Sequence, residues 1–119
     1  MSTSSKNQGN QTIITIVLGA TIGPFIHIKP DGTATGANEV PFAVTLDGGV
    51  SGDRVRAALV AGGGTITMTA GAACTANALV YGAANGKITG TSSSNTTRGY
   101  ALEAASADGD RIEVAPISG

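Results

Sequence analysis

Glycine limits this chain more than any other residue. Eighteen glycines, four prolines and the pairs Asp31-Gly32, Asn85-Gly86 and Asp108-Gly109 divide the 119 residues into short apolar segments. None of these segments makes a convincing amphipathic helix, but several alternate large and small residues in the two-residue period of a strand. The expected fold class is therefore all-β: a small β-barrel or sandwich-like domain of short antiparallel strands.

The segments can be read in order. Ile13 to Leu18 is β-branched and predicts a strand buried on both faces. Phe25 to Lys29, between Pro24 and Pro30, predicts an edge strand, because proline cannot donate to a ladder. Its alternation turns His27 away from Ile26 and Ile28, toward the surface or an interface. Val40, Phe42, Val44 and Leu46 predict one inward face, and Val55, Ala57 and Leu59 another, with Arg54 and Arg56 outward. Thr65 to Thr69 alternates threonine with inward Ile66 and Met68. Asn85-Gly86 predicts a tight hairpin between 79–81 and 87–89, since both central positions tolerate positive φ. Tyr100, Leu102 and Ala104 predict an inward face, and Ile112 and Val114 complete the fold. The stretch 100–107 has good helix propensity, but its alternation and the Asp108-Gly109 turn fit a strand better. The expected core is Val40, Phe42, Val44, Leu79, Tyr81, Tyr100, Leu102, Ile112 and Val114. A faint repeat is also present: Gly52-Asp53-Arg54-Val55 recurs as Gly109-Asp110-Arg111-Ile112, with the preceding strands one residue apart in register. A β-bulge would absorb that difference.

Residues 1–11, rich in Ser, Asn and Gln, lack the apolar content to offset ordering entropy and are expected to form a flexible N-terminal arm. Residues 12–119 are expected to form a single β domain. Its core is thin, with only Phe25, Phe42, Tyr81 and Tyr100 as aromatic residues. Small side chains each hide little area, at about 25 cal/mol per Å², so the chain is expected to gain stability from partners and to be a homo-oligomer. Charged residues make up 13% of the chain, about half the usual share, which suits a surface covered by neighbours.

Composition also argues against several functions. The net charge is −1 with no run of Lys or Arg, which disfavours nucleic acid as a partner. The apolar run 13–18 is too short to span a membrane, and the start makes a poor signal peptide. A single cysteine, Cys74, rules out an intrachain disulfide and reads as a small buried hydrophobe. One histidine and one cysteine are too few for a metal site, and no cofactor is expected. Gly62-Gly63-Gly64 is not followed by Lys-Ser/Thr, so it is no P-loop. No Gly-x-Ser-x-Gly elbow is present. Glu39, Glu103 and Glu113 could pair as glycosidase carboxylates, but nothing in the sequence indicates a cleft. No catalytic residue is identified, and the chain is expected not to be an enzyme.

The second half carries a pattern. It runs through Thr69-Ala70-Gly71, Asn77-Ala78-Leu79-Val80-Tyr81 and Asn85-Gly86-Lys87-Ile88. It continues through Arg98-Gly99-Tyr100-Ala101-Leu102-Glu103-Ala104-Ala105-Ser106 and Asp108-Gly109-Asp110-Arg111-Ile112-Glu113-Val114. Over residues 50–116 this resembles the capsid cement, or head decoration, proteins of tailed bacteriophages. The first 49 residues match no named pattern. The resemblance implies a structural virion protein on the outer capsid surface, made in the host cytoplasm. It would bind the major capsid protein, often as a trimer at three-fold or quasi-three-fold positions, and clamp neighbouring subunits against the pressure of packaged DNA. Partner contact is assigned to the arm and to Ile13, Ile14, Ile16, Val17 and Leu18. Three alternatives remain open: another virion β module such as a head-fibre or tail-associated part, a small carbohydrate-binding β domain, and an enzyme subunit with an unrecognised site.

Overall fold

A computed structural model describes residues 12–62, 64–92 and 95–117. The proposed arm at 1–11 lies outside them. Nine strands form two antiparallel sheets: β1 (Ile13–Val17), β2 (His27–Ile28), β3 (Ala43–Thr45), β4 (Arg54–Leu59), β5 (Ile66–Thr69), β6 (Leu79–Gly82), β7 (Ile88–Thr89), β8 (Thr97–Ala101) and β9 (Arg111–Pro116). The first sheet has the order β1-β4-β3-β2 and the second β5-β9-β8-β6-β7. Two short 3-10 turns, Val60–Gly62 and Ala84–Gly86, complete the regular structure among the described residues. No helix there is long and apolar enough to cross a membrane. The all-β expectation holds. As predicted, the Asn85-Gly86 turn joins β6 to β7, with Asn85 at φ 62 and Gly86 at φ 72. The proline-flanked strand β2 is terminal in its sheet.

The faint repeat in the sequence is the visible part of a structural duplication. β1, β4, β3 and β2 of the first sheet occupy the same order as β5, β9, β8 and β6 of the second. The registers correspond as well. Ile14 pairs with Ala57 as Ile66 pairs with Val114, and His27 pairs with Val44 as Leu79 pairs with Tyr100. The connections repeat too. The Ile22–Gly49 bridge matches the Cys74–Ala105 bridge. Phe25 N donates to Thr45 O at 2.6 Å, as Asn77 N donates to Ala101 O at 2.7 Å, and Phe25 and Asn77 both have positive φ. Gly52 and Gly109 both sit at φ +95, a conformation that side-chain-bearing residues rarely adopt. Each precedes an aspartate whose carboxylate caps its own turn, Asp53 on Val50 N and Asp110 on Ser106 N and Ala107 N.

The two units stack head to tail. Ile16, Leu18, Ile22, Ile26, Ile28, Ala43, Val55 and Ala57 form a core on the inner face of the first sheet. Val44 and Ala58, on the opposite face of that sheet, pack into a second core with Ile66, Met68, Val80, Ala101, Ile112 and Val114 from the second unit. Around β2, β3 and the C-terminal half of β4 the first sheet is thus buried on both faces. Alanine and valine dominate its central strands because each side must admit a close neighbour.

Several expectations are corrected here. Val40 is 78% exposed, because the regular strand starts only at Ala43 and the alternation does not extend back to it. Phe42 is half-buried and packs on the first core, whereas Val44 and Leu46 pack on the second. Tyr100 and Leu102 are 49% and 44% exposed, while Ala101 and Ala105 are buried. The inward face of that segment is therefore the other parity. Ala101 lies opposite Val114, where the core already holds Ile66 and Met68, and a small residue fits that space. Leu79 and Tyr81 are half-buried for the same reason, with Val80 taking the inward place. β1 is buried on one face rather than two.

Candidate functional site

The predicted partner segment divides along the pleat of β1. Ile16 and Leu18 are taken into the first core and Ile14 is half-buried, so these three side chains serve the chain's own packing. Ile13 and Val17 are each 45% exposed on the opposite face. β1 is terminal in its sheet, so this apolar pair stands beside a strand edge. An unpaired edge offers its backbone groups to another chain.

His27 is only 1% exposed, which corrects the expectation of a surface or interface residue. The second unit causes the burial. The turn after β6 packs against β2, with Gly86 N donating to Thr35 O at 2.8 Å. Gly86 comes so close that a Cβ there would lie 2.4 Å from His27 O. His27 Nδ1 lies 3.4 Å from Gly86 O, and Nε2 has no partner. Burial, with the nearby Arg98 guanidinium adding to it, pulls the His27 pKa down to about 3. The imidazole is therefore neutral at physiological pH and out of reach of a substrate. Arg98 is buried at the same junction and ties the units together, donating from Nη1 to Glu39 O at 2.8 Å and from Nη2 to Gly36 O at 3.1 Å.

Most of the other described charged groups are engaged in surface structure. Arg56 binds Asp47 through Nε and Nη2, Lys29 pairs with Glu39, and Lys87 pairs with Asp108. Glu103 accepts from Glu113 N, and Glu113 accepts from Thr65 Oγ1. Cys74 is buried, and desolvation pushes its thiol pKa up, which makes it a poor nucleophile. Among the described residues, no group of three His, Cys, Asp or Glu side chains could hold a metal ion. An open cleft of about 200 Å³ is lined by Val40, Pro41, Val60, Ala61, Thr96, Thr97 and Ile117. None of these side chains titrates, so the cleft can offer shape and apolar contact but no acid–base chemistry.

What the geometry does supply is apolar surface. Besides Ile13 and Val17, the outer face of the second sheet carries Leu79 opposite Tyr100, with Ala115 beside Tyr100 and Leu102 next along the chain. The sequence reading missed this face by assigning its bulky residues to the core. The signal was present, because placing Tyr100 and Leu102 inward leaves Ala101 and Ala105 outward, and only the pairing partners decide between the two.

A family model described as phage cement protein matches residues 8–116. No curated protein matches the chain. Among solved structures, the chain is similar to the N base of the head fibre gp8.5 of bacteriophage phi29, with a TM-score of 0.70 and 16% identity. The match covers 90% of this chain and 94% of that one. At this identity the likeness is one of fold, and it supports the two-sheet architecture. The family match spans both structural units, including residues 8–49, part of a stretch whose sequence alone matched nothing, and on that ground the chain belongs to the phage cement protein family.

Proposed function

We propose that this chain is a structural, non-enzymatic component of a phage particle that binds the outer surface of the icosahedral head and strengthens contacts between major capsid subunits. The observation that carries this reading is the cement-family match across both units. The structure is consistent with it. Most of its described charged side chains are engaged in turns, ion pairs and buried junctions, and it exposes apolar residues such as Ile13, Val17, Tyr100 and Leu102. Ile13 and Val17 beside the β1 edge are the proposed capsid contact. We further propose that the protein acts as a trimer, so that several modest contacts combine on one capsid site. The test is co-sedimentation of the purified protein with expanded capsids, together with the disruption temperature of those capsids. Binding that raises this temperature supports the reading, and absence of co-sedimentation overturns it.

A second reading is favoured by the likeness to a head-fibre base: the chain would be the foot of a longer appendage. Electron microscopy of decorated particles separates the two. Density clamped flat between capsomers supports cementing, whereas density that continues outward from the shell supports the fibre base.

A further inference from the structure

The duplication supplies an internal precedent for what meets the edge of β1. Val17 pairs with Arg54 as Thr69 pairs with Arg111, and Leu18 N donates to Asp53 O as Ala70 N donates to Asp110 O. In the second unit this corner holds a turn of the first. Thr69 N donates to Phe25 O at 2.9 Å, and Thr69 Oγ1 donates to Pro24 O at 3.4 Å. The Arg111 guanidinium stands 5.2 Å from the centre of the Phe25 ring, within cation–π range. An aromatic turn is thus gripped by one edge N–H and one arginine, and it leaves Thr69 only 7% exposed.

In the first unit the same two groups face solvent. Leu59 N donates to Thr12 O and Leu18 N to Asp53 O, which puts the even-numbered residues of β1 in the ladder and turns Val17 N to the outer edge. Among the described residues Val17 N has no hydrogen-bond partner, and Val17 is 45% exposed. Arg54 is exposed as well, and among the described residues it has neither a carboxylate partner nor a ring beneath it. The neighbouring Asp53 caps Val50 N instead. Gly32 closes the carbonyl side, since a Cβ there would lie 2.3 Å from Val17 O. Val17 N and the Arg54 side chain are what the corner offers.

We propose that this corner of the first unit binds a turn of a partner protein that carries an aromatic side chain. Val17 N donates to a backbone carbonyl of that turn, and Arg54 stands over the ring as Arg111 stands over Phe25. Valine in the place of Thr69 gives up the hydroxyl bond and adds apolar contact to the ring. A second copy of this chain does not supply the turn. Its Phe25 is held by its own Thr69 and Arg111, and the corresponding residue of its second unit is Asn77, which has no ring. The capsid-binding reading above enters only as the identity of the partner.

Two measurements test it. The first needs no capsid. The isotope-labelled full chain is titrated by NMR with a cyclic peptide containing Gly-Pro-Phe-Ile, the sequence at 23–26, and with the same peptide carrying Ala for Phe. The Val17 amide and the Arg54 Nε–H resonances should shift with the first peptide. Binding should be about fivefold weaker for the Ala peptide and for the Arg54→Gln chain. Resonances that stay in place, or equal binding of the two peptides, overturn the proposal. Arg54 makes no contact that the fold needs, and the spectrum of Arg54→Gln verifies that it is folded. The second measurement is co-sedimentation of the wild type, Arg54→Gln and Arg56→Gln with expanded capsids. Arg56→Gln removes an equal charge from the same strand, so only Arg54→Gln should bind more weakly, by about fivefold. Capsid binding by Arg54→Gln at wild-type strength overturns the assignment of this corner to the capsid. A wild type that binds the aromatic peptide but no capsid sinks the cementing function and leaves the corner standing as a binding site.

Discussion

The buried histidine makes acid sensitivity the sharpest quantitative consequence of the fold. His27 has a pKa of about 3 in the folded chain, against 6.5 ordinarily. Between those values the unfolded chain binds a proton that the folded chain does not, so stability rises with pH across this window. The contribution is fully present above pH 6.5 and is lost as pH falls, at about 1.4 kcal/mol per unit once well below 6.5. From pH 7.5 to 5.0 the loss amounts to about 2 kcal/mol, a sizeable part of the 5–15 kcal/mol typical of a domain. At about 4 °C per kcal/mol, the melting temperature should fall by about 8 °C. The carboxylates do not interfere. Asp31, Glu39, Asp47 and Asp110 are all lowered by hydrogen bonds or ion pairs, so they lose stabilisation only when pH falls below the ordinary carboxylate range. His27 is the sole histidine, so a single substitution isolates the effect. Urea unfolding at the two pH values, at one protein concentration, measures it for the wild type and for His27→Gln. The wild type should lose about 2 kcal/mol, and the variant should be nearly flat over the same interval. A wild-type midpoint that does not move, or an equal fall in His27→Gln, would refute the burial argument.

Other outcomes follow from the packing. Gly82→Ala places a methyl 2.4 Å from Ala37 O and 2.6 Å from Arg98 Nη2, and should cost about 2–3 kcal/mol in urea unfolding. Arg98→Lys should cost about 2 kcal/mol in the same assay, because one ammonium cannot replace the guanidinium fork that spans the Glu39 and Gly36 carbonyls. Met68→Ala, at the centre of the second core, should cost about 2–5 kcal/mol. Val40→Ala should stay within about 0.5 kcal/mol because its side chain is in solvent. Similar losses from Met68→Ala and Val40→Ala would contradict the observed strand boundary.

The sequence alone determined the features set by local physics. The all-β class followed from the spacing of its turn residues, the hairpin from Asn85-Gly86, and the edge position of β2 from its flanking prolines. The inward faces of β4 and β5 were legible from Val55, Ala57, Ile66 and Met68, and the cement-family resemblance was legible in the second half. Tertiary structure decided what depends on which surfaces meet. Alternation shows that two faces differ, but it does not say which one is covered when both carry apolar groups. In the segment at Tyr100, the small residue went inward because Val114, Ile66 and Met68 had already filled the space, and the large one was left outside. His27 was buried because a second copy of its own unit folded over it, and the sequence shows that duplication only in four residues around each Gly-Asp turn. Such pairing is non-local, and the small side chains that allow it differ so little from one another that no single segment reveals its partner.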